Sequence, residues 1–92
     1  MKYTIKSNNG HRYANSHVVI YENGEVIMFS YTTPVIRIDS DGWLSVKGLY
    51  SMTTIKHIGW FMRERGMTYQ LAKGLYMDNL KYNVYTGEVK AV

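Results

Sequence analysis

Cysteine is absent from this 92-residue chain. That excludes a disulfide framework, thiol chemistry and Cys-based zinc sites. Proline occurs once, at Pro34, and no repeat, low-complexity run or linker interrupts the sequence. No apolar run approaches the ~18 residues of a membrane span. No opening stretch has the form of a signal peptide and no Asn-x-Ser/Thr acceptor occurs, so a cytoplasmic protein without a membrane partner is the expectation. Acid is also scarce, with 7 Asp and Glu against 11 Lys and Arg, for a net charge of +4. That balance argues against DNA mimicry and favours an acidic partner such as nucleic acid, a nucleoprotein or an acidic protein face. What is plentiful is tyrosine, nine in all, a residue that suits strands and also supplies large, stiff contact area at interfaces.

Hydrophobic residues at 46% and charged residues at 20% place the chain among folded domains rather than disordered ones. Lys2 to Lys6 alternates, with Tyr3 and Ile5 on one side, and reads as a Lys-guarded edge strand. Ser7-Asn8-Asn9-Gly10 is turn chemistry, and His11 to Ser16 reads as a polar loop. His17 to Tyr31 reads as a hairpin about Asn23-Gly24, a type I′ pair. That turn sets Ile20 against Ile27 and Val18 against Phe29, and leaves both hairpin faces apolar. The second face then calls for cover, by the C-terminal tail or another subunit. Val35 to Lys47 reads as a second hairpin with the loop Ser40-Asp41-Gly42 and Gly42 left-handed. Its register pairs Ile38 with Leu44 and Ile36 with Val46 inside, and sets Trp43 outside near Arg37 and Lys47.

Tyr50 to Gly66 has helical periodicity, with Ser51 or Thr53 as N-cap and Gly66 as its end. Thr54, Ile55, Ile58, Phe61 and Met62 form an apolar arc, while Lys56, His57, Trp60, Arg63 and Glu64 fall on the other side. Thr68 caps a short second helix carrying Leu71, Leu75 and Tyr76, although Gly74 weakens that helix. Leu80 to Val84 alternates as a last strand, and Val89 to Val92 is a short strand or frayed tail. The whole reads as one α+β domain, residues 1–92. A small antiparallel sheet of about five to six strands packs on one main helix, with a short second helix as an option.

Two stretches carry a resemblance. Ser30-Tyr31-Thr32-Thr33-Pro34-Val35 and Tyr50-Ser51-x-Thr53-Thr54-x-Lys56-His57-Ile58-x-x-Phe61 resemble a pattern in small proteins of Gram-positive phages and prophages, a domain family of unknown function. The likeness covers the middle of the chain and brings no catalytic residue with it. It implies a setting inside a bacterial host and, by association, a non-enzymatic modulator of host or defence machinery, anti-CRISPR proteins among them.

Chemistry is weakly written. Ser51 or Thr53 with His57 and Asp39, Asp41 or Glu64 offers a nucleophile and base only on paper, because the hydroxyls have a ready use at a helix N-terminus. His11, His17 and His57 have no ligand spacing, so no metal and no cofactor are expected. The stronger candidate is a binding surface. Lys56, His57, Trp60 and Arg63 share the outer side of the helix and Arg65 lies in its last turn, joined by Arg37, Trp43 and Lys47 on the outer sheet face. The expectation is a non-enzymatic accessory protein that binds and modulates a host protein or nucleoprotein. Direct nucleic-acid binding by the same basic and aromatic surface is the alternative. A structural or self-assembling phage protein, with a homodimer as its simplest form, is the third reading.

Overall fold

The computed structural model describes the backbone of residues 1–6 and 12–92, and the side chains of 1–5 and 15–92. Its elements run β1 (Lys2–Lys6), β2 (Arg12–Ile20), β3 (Val26–Ser30), β4 (Thr33–Ile38), β5 (Trp43–Val46), α1 (Met52–Glu64), α2 (Tyr69–Met77), β6 (Leu80–Asn83) and β7 (Val89–Ala91). The architecture is α+β. Among the described residues seven strands lie in one sheet whose spatial order is the chain order, and each neighbouring pair is antiparallel. Both helices are inserted between β5 and β6 and pack on a single face of that sheet. The helical option at 69–77 is therefore realised, with Thr68 Oγ1 accepting from the Leu71 N–H at 3.2 Å.

The core lies between that face and the helices. Ile5, Val18, Met28, Ile36 and Leu44 meet Ile58, Phe61, Met62 and Ala72 there, all 0–1% exposed. Burying each large side chain contributes about 1.5–3 kcal/mol relative to leaving it in water. Tyr3 ties edge strand β1 to α1 by donating its hydroxyl to Glu64 Oε1. Burial first, and then the carboxylate partner, push the Tyr3 pKa up to about 12.

The second hairpin has the register that its alternation implies: Ile36 opposite Val46, Arg37 opposite Ser45 and Ile38 opposite Leu44. The first hairpin does not. Its loop is three residues, Glu22-Asn23-Gly24, with the Tyr21 N–H donating to Glu25 O at 2.9 Å and the Gly24 N–H to Tyr21 O at 3.0 Å. Gly24 stands at φ +90°, while Asn23 is not among the residues of positive φ. The type I′ pair is thus replaced by a three-residue turn with Gly24 left-handed. A slip of one residue exchanges faces along a strand. Val26 and Met28 now join Val18 and Ile20 inside, and Ile27 and Phe29 join Val19 outside. Apolar residues on both sides left hydrophobicity with no preference between the registers.

Two further readings change. The polar segment before His17 is the first half of β2 rather than a loop, because β1 and β3 both pair with it. Strand pairing overrides its polar composition. The turn expected at Ser7-Asn8-Asn9-Gly10 lies outside the described residues, as does His11. Nor does any described element cover the outer face of β2 and β3, since both helices occupy the opposite side.

Candidate functional site

Helix α1 begins at Ser51, whose Oγ accepts from the Thr54 N–H at 3.2 Å. The Ser51 hydroxyl also lies 3.2 Å from Thr54 Oγ1, which is 3.2 Å from Ser30 Oγ at the end of β3. Ser30 Oγ in turn is 2.7 Å from His57 Nδ1. Ser30 and His57 are each 2% exposed and Thr54 is 4% exposed. A continuous polar chain therefore crosses the interface between α1 and the sheet. Its members come from both stretches that carry the sequence resemblance, which meet in space across 24 to 27 residues of chain.

Two tyrosines of the same stretches flank this chain. Tyr31 follows Ser30 directly and Tyr50 precedes Ser51. Tyr31 holds φ +57° and Tyr50 φ +39°, a left-handed conformation that costs a residue with a Cβ roughly 1–2 kcal/mol. Both side chains are nonetheless exposed, at 51% and 64%. The Tyr31 ring lies 5.9 Å from the His57 ring. It also borders an open groove of about 590 Å³ lined by Lys2, Thr4, Asn15, His17 and Thr32, beside the His17–Phe29 ring stack at 4.9 Å. Tyr50 lies against Gly48, where an added Cβ would come within 2.7 Å of its Cζ. Met52, the first residue of α1, is likewise exposed, at 72%.

The helix stripe expected to make contacts is reorganised. His57 is buried instead of facing outward, and burial lowers its pKa. Thr54, His57, Ile58, Phe61 and Met62 are the buried residues of α1. They follow the i, i+3, i+4, i+7, i+8 spacing of a core-facing stripe, with His57 inside it. Trp60 is half-buried, packs beside the core and sets its ring 5.5 Å from that of His57. Trp60→Ala is therefore expected to lower stability by about 1–2 kcal/mol, a fraction of the cost for a fully buried tryptophan. A shift of the urea midpoint at unchanged m-value measures it. Lys56, Arg63 and Arg65 remain exposed, with the Arg65 guanidinium 5.0 Å from the Phe61 ring centre.

The outer sheet face is also rearranged. Arg37 is ion-paired with Glu25, and Lys47 stays exposed at the end of β5. Trp43 gathers two cations that the sequence reading did not place there. Lys90 Nζ lies 4.2 Å and Lys81 Nζ 5.4 Å from its ring centre. The structure thus separates the expected residues into a helix stripe and a Trp43 cluster, and neither contains Tyr31 or Tyr50. The signal for those two was their place in the quoted stretches, beside residues of helix-capping type.

Ser30 replaces Ser51 and Thr53 as the hydroxyl on His57, and both groups of the pair are buried. Such a pair is suited to pinning a helix rather than to meeting a substrate. Among the described residues no three His, Asp or Glu side chains are grouped to hold a metal ion, and no helix is long and apolar enough to cross a membrane.

A meander sheet with two helices on one face and a buried polar chain beneath an exposed aromatic corner defines the type of protein. The chain belongs to a family of unknown function, DUF8033, matched over residues 2–78. Both quoted stretches fall inside that match, while β6 and β7 lie past it. No curated protein and no solved structure matches the chain.

Proposed function

We propose that this protein is a non-enzymatic binding module, a small phage-type accessory protein. In this reading it captures and modulates a host protein or nucleoprotein in the bacterial cytoplasm, as an anti-defence inhibitor does. One observation carries the reading: two exposed tyrosines are held at positive φ over a buried hydrogen-bonded chain. Backbone strain persists where the surroundings over-determine it, and it clusters where position matters for contact. Tyrosine supplies stiff, amphipathic contact area with little rotamer entropy to lose. The buried Ser30–His57 pair accounts for the support, and the exposed rings supply the contact. The phage setting rests on the resemblance alone.

The test uses Tyr31→Asn together with Tyr50→Asn. Asparagine tolerates the left-handed region, so the melting temperature is expected to hold or to rise by a few degrees. Capture of a specific species from bacterial lysate is expected to be lost at the same time. Wild-type capture by the doubly substituted chain would refute the corner as the working surface. Lys56→Gln with Arg63→Gln serves as the comparison and is expected to weaken capture less.

A further inference from the structure

Lys81 and Lys90 stand directly opposite each other in the β6–β7 ladder. Like charges in that position repel and weaken a strand pair. Both ammonium groups lie over the Trp43 ring, at 5.4 and 4.2 Å. Among the described residues neither lysine forms an ion pair with a carboxylate. The indole attracts the two cations, but it carries no net charge to cancel theirs. A bound anion removes that repulsion, and the six ammonium protons are ready donors for it.

The rest of the face bears on which anion. Moving away from the Trp43 cluster, the helix-free side carries Arg37, then Ile27 and Val19 in one cross-strand row, with Phe29 and His17 in the next. Five strand spacings separate β7 from β2, about 24 Å at the usual sheet repeat. Both helices lie on the opposite side, so neither can enter a duplex groove from this one. An acidic peptide would satisfy the lysines and leave the apolar rows unused. A single-stranded nucleic acid uses both, with phosphates on the cations and unstacked bases on apolar and aromatic side chains.

We infer that the open sheet face binds single-stranded nucleic acid, with Lys81 and Lys90 clasping a phosphate beside Trp43. The Trp43 clasp stands apart from the tyrosine corner and does not depend on it, while the far row at His17 and Phe29 borders the Tyr31 groove. Lys81 and Lys90 lie beyond the residues matched to the family.

The experiment titrates the full chain carrying Trp60→Phe, which leaves Trp43 as its tryptophan, with a short oligothymidylate. Trp43 fluorescence is the readout. Saturable quenching is expected, with log K falling linearly in log salt concentration. Lys81→Gln with Lys90→Gln is expected to weaken binding about tenfold or more at ~50 mM salt and to reduce the slope by about 0.7, the share of the one phosphate that the pair clasps. Polyglutamate, inorganic phosphate and a duplex of equal length are expected to compete poorly. Equal competition by any of them overturns the assignment to single strands. So does a salt-independent wild-type affinity, which needs no variant to measure. Unchanged binding by the double variant overturns the clasp, as does sedimentation of the free chain as a dimer with Trp43 shielded from a soluble quencher. Loss of oligonucleotide binding with capture intact would leave the tyrosine corner standing, and the converse would leave the clasp standing.

Discussion

Gly42→Val is expected to cost about 3–5 kcal/mol, against about 2 kcal/mol for Gly24→Val, on the usual penalties for left-handed backbone and overpacking. The two glycines are matched in backbone, closing three-residue hairpin loops at φ +93° and +90°. Their surroundings differ. A Cβ at Gly24 meets nothing within 4 Å, whereas one at Gly42 would come within 2.6 Å of Tyr85 Cε2 and 3.2 Å of Asn83 Oδ1. The Tyr85 ring is exposed and can swing aside. Asn83 cannot move as cheaply. It is 5% exposed, its Oδ1 accepts from the N–H groups of Tyr85 and Thr86, and its Nδ2 donates to Asp41 O at 3.1 Å. Displacing it parts the β4–β5 loop from the β6–β7 turn and loosens the strand that presents Trp43. Urea unfolding of both variants measures the difference. Equal losses would mean that Asn83 yields freely and the two turns are not coupled.

The second large effect is placed on His57. His57→Leu keeps the volume but removes one of the two partners of Ser30 Oγ, leaving Thr54 Oγ1 at 3.2 Å, and the resulting loss is expected to be about 2 kcal/mol, within the range for weakening a buried polar group's hydrogen bonding. Its pH signature separates this from a simple packing loss. Burial lowers the His57 pKa below the ordinary imidazole value, which is about 6.5. Above that value the imidazole is neutral in folded and unfolded chains alike, and its contribution is complete. As pH falls below about 6.5 the unfolded chain takes up a proton that the folded chain resists, so stability declines until the folded pKa is reached. His17, lowered by burial and then by Lys2, acts in the same direction. His57→Leu is therefore expected to flatten part of the stability loss between about pH 7 and pH 5, and His17→Gln another part. An unaltered slope in His57→Leu would show that the folded chain protonates His57 freely.

The Ser40-Asp41-Gly42 hairpin was readable because Ile36, Ile38, Leu44 and Val46 alternate with polar neighbours, so one register sorted them. The Glu22-Asn23-Gly24 hairpin differs from its sequence expectation because Asn-Gly serves equally as a two-residue loop or as the end of a three-residue one. With apolar residues on both faces, nothing else in the strands corrected the slip. The cap and end of helix α1 are legible in the sequence, but a histidine in a local pattern counts as polar, and His57 is buried. The hydroxyls of Ser30 and Thr54 make that position habitable for an imidazole, and no local pattern announces a partner on a distant strand. Trp60 sits three residues after His57, roughly 60° around the helix, so correcting one brings the other toward the core. The Trp43 cluster was half visible. The ring was placed on the right face, but its lysines come from β6 and β7, whose pairing short segments do not fix.

Because the sheet runs β1 to β7 in chain order, its first and last strands lie on opposite rims, six strand spacings or about 29 Å apart. A pull on the ends of this chain meets the ladders edge-on and opens them one at a time, like a zipper, instead of shearing many hydrogen bonds together. The rims are the places where peeling starts, and because Tyr3 ties β1 to α1, peeling from that rim loads the helix early. A protein built this way can be sturdy against denaturant and still yield readily to a motor that threads it from either end.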